Sequence, residues 1–394
     1  MHKVFVDRGS AAPAGDYRFG YQPALDGMRA IAVLSVVTFH LRLPPLWGGA
    51  RGVDMFFVLS GFLITSILLK ETRSTGTISF VQFYGRRMLR LLPAYFAVVL
   101  AALASYVFLV RVGGTLRGTA GSFFYVANWF AADGLGLGTL GHTWSLSVEE
   151  QFYLLWPLTF LIVLRVFKGR LNRVAVGLSG LWVTVWILCL VLVATMHPSF
   201  DFVVYATPFR VTELLAGCIL AVCAARGYLA PLTDRPQLTA SLAVLALAGT
   251  LALLCIPAAT EASLLMLSWV GITFATCLLI ACLQGDAGFV GRALSVKPLV
   301  AIGLVSYGIY LWHYPVLVDL DSTIGLDSVM ARVLAITVTA VMVVGSYYLI
   351  ERPALRLKSK VPVRLRPQGV GTFDSHRSVA STGTPTPPAP PTAS

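Results

Sequence analysis

Apolar stretches alternate with short polar segments along most of the chain. Each stretch is near the roughly 20 residues that an α-helix needs to cross the hydrocarbon core of a bilayer. The pattern predicts an all-α integral membrane protein with about ten spanning helices, at residues 27–45, 52–69, 91–110, 145–167, 174–195, 209–225, 238–257, 263–284, 298–318 and 329–350. An even number of spans places both ends of the chain on one side of the membrane.

The two ends of the chain differ from the apolar region between them. Residues 1–24 are polar and contain no apolar core of signal-peptide type, so we expect an uncleaved N-terminus and a first span that acts as the insertion signal. Residues 358–394 begin basic and end "STGTPTPPAPPTAS", a Pro/Thr/Ser-rich composition that cannot bury a core. We therefore predict one transmembrane domain at 25–357, followed by a disordered tail.

Composition and charge agree with a membrane protein and orient it. Hydrophobic residues make up 57% of the chain, charged residues 12%, and the mean hydropathy is +0.77, which is too apolar for a soluble domain of this length. Of 30 Lys and Arg residues, 23 fall on the side of the N-terminus and 6 in the opposite loops. By the positive-inside rule, both termini are cytoplasmic in the inner (plasma) membrane. The net charge of +12 then needs no nucleic acid partner.

The cysteines give no sign of a metal site. All six lie in or beside apolar spans, without the CxxC spacing of metal ligands. Free cysteine is often a small buried packing residue, and we expect that role here.

The first span carries two ionisable residues in "LDGMRAIAVLSVVTFH". Arg29 and His40 are 11 positions apart, which places both on one helical face, about 20° out of line and about 16 Å apart along the axis. Asp26 precedes Arg29 by three positions and can pair with it. Because ionisable groups are costly inside a membrane, we interpret His40 as a functional candidate; an interhelical hydrogen bond is the alternative.

The second span, "GVDMFFVLSGFLIT", places Asp54 at the same expected level as His40. A carboxylate at that level can orient an imidazole, as in many acid–base sites. An interfacial helix cap explains Asp54 equally well, so both interpretations stay open.

Three arginines precede the third span in "FYGRRMLRLLPAYF". Arg87 and Arg90 are three positions apart and share a helical face, so they can bind phosphate oxygens together. Together with Arg86, they also suit simple anchoring at the inner surface, with their aliphatic stems buried.

The fourth span begins "HTWSLSVEEQFYLLWP". On a helix, Ser145, Glu149 and Tyr153 lie on one face, and Glu150 points about 100° away. Free amides at a helix N-terminus would also satisfy the carboxylates. His142 lies just before this stretch, in an outer loop.

The ninth span, "SYGIYLWHYPV", contributes Tyr307, Tyr310 and His313. An interfacial aromatic belt is an equally simple explanation of these side chains.

Taken together and in this order, these strings and the closing "IERPALRL" resemble the membrane-bound acyltransferase 3 family, from about Leu25 to Leu357. The resemblance implies an O-acyltransferase with no permanently bound cofactor. Its co-substrate would be acyl-CoA, either acetyl-CoA or another short thioester, and its acceptor a hydroxyl-bearing molecule.

The resemblance also implies roles for individual residues. Arg29 and His40 match the family's Arg-x10-His element, whose histidine is taken as essential. Arg87 and Arg90 match its Arg-x-x-Arg element, associated with the cytoplasmic acyl-CoA donor. The other motif residues matched are Trp144, Ser145, Leu146, Glu149, Tyr307, Tyr310 and His313. Of these, we expect Glu149 to act in catalysis with His40 and Asp54, and Trp144, Ser145, Tyr307, Tyr310 and His313 to bind substrate. Many members carry an esterase-like domain after the last span, and only a short tail follows here, so a preference tied to that domain is not assumed.

These matches suggest a mechanism in which the donor's phosphates bind Arg87 and Arg90 and its arm runs past Arg29. His40 would act as general base on an acceptor hydroxyl, or would transiently carry the acyl group, with Asp54 or Glu149 orienting it. The general-base version is preferred because it needs no stable acyl-imidazole. The oxyanion donor stays open between Tyr310, Ser60 and an amide of a broken helix.

Alternatives remain for the acceptor and for the class of protein. The acceptor is a sugar or glycolipid of the cell envelope, or a small molecule such as a macrolide. From another class, a proton-coupled transporter or flippase would also place His and Glu inside a membrane.

Overall fold

Helices form the whole of the regular structure in the part of the chain that the computed structural model describes, residues 21–257 and 261–358. The predicted N-terminal segment 1–24 and tail 358–394 lie almost entirely outside these residues. The α-helices are α1 (Pro23–His40), α2 (Gly52–Thr75), α3 (Phe80–Phe108), α4 (Thr115–Phe123), α5 (Ala127–Ala132), α6 (Thr143–Val166), α7 (Leu171–Met196), α8 (Phe200–Tyr205), α9 (Thr207–Arg226), α10 (Ala230–Thr233), α11 (Pro236–Cys255), α12 (Ala262–Leu283), α13 (Gly288–Leu294), α14 (Lys297–Leu304), α15 (Ser306–Ile324), α16 (Val329–Ser346) and α17 (Arg352–Lys358). Short 3₁₀ turns occupy Gly49–Arg51 and Gly138–Leu140, and a π-helical turn occupies Tyr347–Glu351.

By length and apolar character, eight helical stretches of the described residues are able to cross a membrane. A ninth is obtained if α14 and α15, which meet at a bend of 67°, are taken as one broken span. Nine of the ten predicted spans each fall mainly on one helix, and the span 298–318 falls on α14 and α15, so the all-α prediction is confirmed. Helix α1 is outside the eight because Asp26, Arg29 and His40 lower its apolar character. The number ten, and the common side of the two termini, therefore stay predictions.

Helices α2 and α9 form the centre of the bundle. Their spans have 78% and 72% of the most apolar stretch buried inside the protein, against 11% for α7 and 17% for the span containing α16. Two glycines explain the close approach: a Cβ on Gly61 would lie 1.9 Å from the Leu214 carbonyl oxygen, and a Cβ on Gly217 would lie 2.1 Å from that of Val58. Small residues of this kind let membrane helices pack backbone to backbone.

Helix α3 begins earlier than the sequence indicated. The predicted span starts at residue 91, whereas the helix starts at Phe80. Arg87 and Arg90 therefore lie in the same continuous helix as the apolar span, which agrees with their predicted common helical face. The arginines extend the helix because their long side chains lose little freedom in it.

The broken helix brings α15 against the first helix. Both α14 and α15 pack on α1, and a Cβ on Gly303 would lie 1.9 Å from the Asp26 carbonyl oxygen. This packing places the end of α1, with His40, beside the middle of α15, with His313.

Candidate active site

Three histidines from distant parts of the chain meet in the structure. His40 ends α1, His142 precedes α6, and His313 lies in α15. The ring centroid of His313 lies 5.2 Å from that of His40 and 5.7 Å from that of His142. Tyr314 contacts the rings of both His40 and His142, at 5.0 and 5.2 Å. We call these four side chains the imidazole cluster.

Hydrogen bonds determine which ring nitrogens in the cluster carry hydrogen. His313 Nδ1 lies 2.7 Å from the Tyr310 carbonyl oxygen, and a carbonyl oxygen only accepts, so Nδ1 carries the hydrogen and Nε2 accepts. That Nε2 lies 3.2 Å from His40 Nδ1, which must therefore donate. In the neutral ring, this leaves the lone pair on His40 Nε2, which is the arrangement of a general base held by a second imidazole.

A cavity bordered by α1, α2, α3, α6 and α15 lies next to the cluster. Its charged lining consists of four guanidinium groups and two carboxylates, from Arg29, Arg86, Arg87, Arg90, Glu149 and Glu150. The excess of positive charge favours an anionic ligand. His40 is not among the lining residues.

The two arginines of the Arg-x-x-Arg element have different partners. Arg87 Nη2 lies 3.0 Å from Glu150 Oε1, and its guanidinium lies over the Tyr153 ring, 3.2 Å from the centroid. Arg90 is exposed and makes no ion pair within 4.0 Å among the described residues. Both border the cavity, but Arg90 is the one whose charge is available to a ligand.

Glu149 is held inside the cavity wall by two hydroxyl groups. Ser60 Oγ donates to Glu149 Oε1 at 2.5 Å, and the Tyr153 hydroxyl donates to the same oxygen at 3.3 Å. The predicted common face of Glu149 and Tyr153 is thus confirmed. No hydrogen bond joins Glu149 to His40 in the described residues, so the structure does not bring these two candidates together.

Tyr310 and Ser145 separate the cavity from the imidazole cluster. Their hydroxyl groups lie 2.6 Å apart, and the Tyr310 hydroxyl also donates to the His142 carbonyl oxygen at 3.0 Å. Both residues line the cavity and are buried. The Tyr310 ring contacts His142 and His313 on its other side, at 5.5 Å each. We call this hydrogen-bonded pair the end wall.

No group of three or more His, Cys, Asp or Glu side chains in the described ranges has a geometry that could hold a metal ion. The cluster is held by hydrogen bonds and ring contacts.

Comparison with known proteins identifies the family. Residues 22–351 match the acyltransferase domain family. The chain belongs to this family. The resemblance inferred from the six motifs is thereby confirmed, and acyl transfer is the class of activity that this membership carries.

Relatives of the acyltransferase domain include three bacterial proteins. The chain is 36% identical to the peptidoglycan O-acetyltransferase OatA of Listeria monocytogenes, over 86% of the chain and 56% of that protein. It is 37% identical to the putative peptidoglycan O-acetyltransferase YrhL of Bacillus subtilis, over 84% and 55%. It is 33% identical to the O-acetyltransferase OatA of Staphylococcus aureus, over 90% and 60%. The chain thus spans little more than half the length of these relatives. No solved structure matches it.

One candidate of the acyltransferase domain has a different partner from the one we expected. Asp54 binds Arg210, not His40, and Arg210 also lies 3.3 Å from Glu213. All three side chains are almost fully buried. The predicted orienting role of Asp54 is therefore corrected, because its charge is already compensated by a guanidinium, and His313 is the residue that contacts His40.

Arg210 was missed in the sequence. Its guanidinium lies 4.2 Å from the Trp269 ring centroid and 5.3 Å from that of Trp144. The signal was present, because Arg210 and Glu213 are three positions apart within an apolar stretch, and an ionisable residue in a span needs a partner.

The remaining candidates divide between the cavity and its surroundings. Tyr307 lines the cavity, and its hydroxyl donates to the Leu91 carbonyl oxygen at 3.1 Å. Arg29 lines it as well and pairs with Asp26 at 3.4 Å, as predicted. Trp144 is not among the lining residues; it contacts Tyr205 and Arg210.

Proposed function

We propose that the chain is a membrane O-acetyltransferase that transfers an acetyl group from acyl-CoA to a hydroxyl group of a cell-envelope sugar. Family membership supports acyl transfer. The names of the three relatives support an O-acetyl product, and two of those names specify peptidoglycan. Since the chain spans little more than half of these relatives, the acceptor is the part of this proposal that depends most on them.

The single observation that carries the proposal is the hydrogen bond between His313 and His40. It leaves the lone pair of His40 Nε2 unshared, beside a cavity that is suited to an anion. A base and an anion site within one bundle are what a CoA-dependent transfer to a hydroxyl requires.

On the donor side, the cationic lining binds the phosphates of acyl-CoA. Arg90 is the principal contact because, within the described residues, no carboxylate lies within 4.0 Å of its guanidinium; Glu351 interacts with it from farther away. Arg29 and Arg86 add to the positive potential. Arg87 stays with Glu150 and shapes the cavity, so the two arginines have different roles.

On the acceptor side, His40 Nε2 takes the hydroxyl proton while the hydroxyl oxygen attacks the thioester carbonyl. Collapse of the tetrahedral intermediate breaks the carbon–sulfur bond. His40 then gives the proton that it took from the acceptor hydroxyl to the CoA thiolate. His40 lies beyond the end wall, so the acyl group reaches it by displacing the pair formed by Tyr310 and Ser145.

The membrane arrangement belongs to the same proposal. We place ten spans in the plasma membrane with both termini cytoplasmic, as the 23 to 6 distribution of Lys and Arg favours. The arginines of the cavity then face the cytoplasmic supply of acyl-CoA, and His40 lies toward the envelope.

A reconstituted assay tests the proposal. The purified chain in liposomes receives acetyl-labelled acetyl-CoA and peptidoglycan fragments, without an imposed ion gradient. We expect CoA-dependent labelling of the fragments, and a loss of about 10²–10⁴-fold in the His40→Ala variant. His197→Asn is the matched control, because His197 is exposed in a positive-φ position that asparagine tolerates.

Other outcomes distinguish the alternatives. If a small hydroxylated metabolite is labelled and the peptidoglycan fragments are not, the acceptor is a small molecule and not an envelope sugar. Movement of a solute that needs a proton gradient and forms no covalent product would indicate a transporter.

A further inference from the structure

The His142 imidazole has no hydrogen-bond partner in a buried position. His142 is 3% exposed, and neither Nδ1 nor Nε2 of its ring makes a hydrogen bond to the described residues. The Leu311 carbonyl lies near enough to interact with the ring but without ordinary hydrogen-bond geometry. Buried polar groups are nearly always hydrogen-bonded, so an exception calls for a missing partner.

The surroundings of His142 differ from those of the other two histidines. The N–H of His313 donates to the Tyr310 carbonyl oxygen, and the N–H of His40 donates to Nε2 of His313. The His142 ring touches His313, Tyr310 and Tyr314, none of which fixes either nitrogen. Apart from the Leu311 carbonyl, which lacks ordinary hydrogen-bond geometry, no described group holds the His142 N–H, so we take it as the member of the cluster that can donate to a ligand.

The His142 ring is neutral. Burial lowers the pKa of His142 to about 3. A neutral imidazole carries one donor and one acceptor nitrogen, and it can stabilise an oxyanion without first gaining a proton.

The backbone of His142 connects its ring to the cavity. Its carbonyl oxygen lies within hydrogen-bond distance of both hydroxyl groups of the end wall, 3.0 Å from that of Tyr310 and 3.2 Å from that of Ser145. Next to it, a Cβ on Gly141 would lie 2.6 Å from the Tyr314 hydroxyl, so only glycine lets Tyr314 pack this close. The ring thus packs on Tyr310 of the end wall and on His313 and Tyr314, the two residues that also contact the His40 ring.

We infer that His142 is the oxyanion donor of the acyl transfer. Its ring N–H donates to the thioester carbonyl oxygen, which becomes negative when the acceptor oxygen bonds to the carbonyl carbon. His40 holds the proton taken from the acceptor hydroxyl during this step. When the carbon–sulfur bond breaks, the carbonyl re-forms, the thiolate receives that proton, and the His142 hydrogen bond weakens again. This inference rests on the proposed transfer at His40.

The expected effect falls on turnover rather than on binding. A donor aimed at a developing oxyanion acts mainly in the transition state, and losing one such donor costs about 10²–10³-fold in kcat. His142→Phe keeps a planar ring and removes both nitrogens, so we expect that loss with the KM for acetyl-CoA unchanged.

Two further variants separate a hydrogen-bond donor from a packing residue. His142→Gln retains an N–H donor, and we expect it to recover at least about tenfold in kcat over His142→Phe. His142→Ala removes the donor without adding bulk and should match His142→Phe. His197→Asn again serves as the control, with folding checked by size-exclusion chromatography and thermal unfolding.

Specific results would overturn the inference. One is a wild-type kcat in His142→Phe. Another is an equal loss of kcat in folded His142→Gln and His142→Phe. The third is a raised KM for the acceptor in His142→Phe with kcat unchanged. If His142→Phe does not fold, His142→Gln and His142→Ala decide by the same comparison. Failure of the proposed function is distinguishable, because the wild-type chain itself would then show no CoA-dependent transfer.

Discussion

His313 Nε2 accepts a hydrogen bond from His40 Nδ1 over 3.2 Å, although the two residues are 273 positions apart. The pairing fixes the tautomer of His40 and aims its second nitrogen. Replacing His313 by Phe removes the acceptor, and we expect kcat to fall at least tenfold while the KM for acetyl-CoA stays unchanged. His313→Gln retains an acceptor oxygen and should lose less. Equal activity of His313→Phe and the wild type would contradict this role.

Arg90 and Arg87 should respond differently to the same substitution. Arg90→Ala removes a guanidinium that has no ion-pair partner among the described residues, so we expect a higher KM for acetyl-CoA, with the change shrinking at high salt because screening weakens the phosphate contact. Steady-state kinetics at two salt concentrations measure it. An unchanged KM at low salt would remove Arg90 from the donor site.

Arg87→Ala should act on stability instead. It leaves Glu150 without its partner, and loss of a hydrogen bond to a charged group costs about 1.5–3 kcal/mol. Thermal unfolding in detergent should show a lower Tm, and the double variant Arg87→Ala with Glu150→Ala should recover part of the loss. If the double variant loses the sum of both single effects, the two side chains are not coupled.

Arg210 is expected to be structural. Arg210→Ala leaves Asp54 and Glu213 as unpaired buried carboxylates, and breaking a buried pair in this way costs about 3–5 kcal/mol. The yield of folded protein and its Tm should fall sharply. The triple variant Asp54→Asn, Arg210→Met and Glu213→Gln removes all three charges together, and we expect it to lower the Tm less than Arg210→Ala does. Arg111→Ala, at an exposed position, is the control.

The contact between α2 and α9 gives a further test through Gly61. A methyl group there would overlap the Leu214 carbonyl, so Gly61→Ala must push the two helices apart, at a cost of about 1–3 kcal/mol. Gly180→Ala in α7 is matched to it, because nothing lies within 4 Å of that position. We expect a lower Tm for the first variant and an equal or higher Tm for the second. The reverse order would contradict the packing.

Local geometry was predictable from the sequence, and long-range pairing was not. Helical spacing correctly paired Arg29 with Asp26 and aligned Glu149 with Tyr153, since both relations depend on a few positions of one helix. The expected levels of the residues in the membrane suggested a contact between Asp54 and His40. The depth of a residue in the membrane does not show which neighbouring helix its side chain faces. The ionisable group that Asp54 contacts is Arg210.

The family motifs indicated which residues belong together but not their contacts. Arg87 and Arg90 look equivalent as a motif, yet the turn of α6 places Glu150 against only one of them. His142 offers the clearest case, because nothing in its sequence context shows that neither ring nitrogen makes a hydrogen bond of ordinary geometry to the residues that the structure describes. That property appears only when α6 and α15 are packed together.

The end wall also bears on the tightness of the membrane. A protein that transfers a chemical group across a bilayer can also let protons and ions pass through the membrane by the same route. The hydroxyl groups of Tyr310 and Ser145, joined to each other and to the His142 carbonyl, close the cationic cavity before it reaches the imidazole cluster. If the chain transfers acetyl groups as proposed, a wall that opens only for each transfer would limit the leak of protons and ions between one transfer and the next.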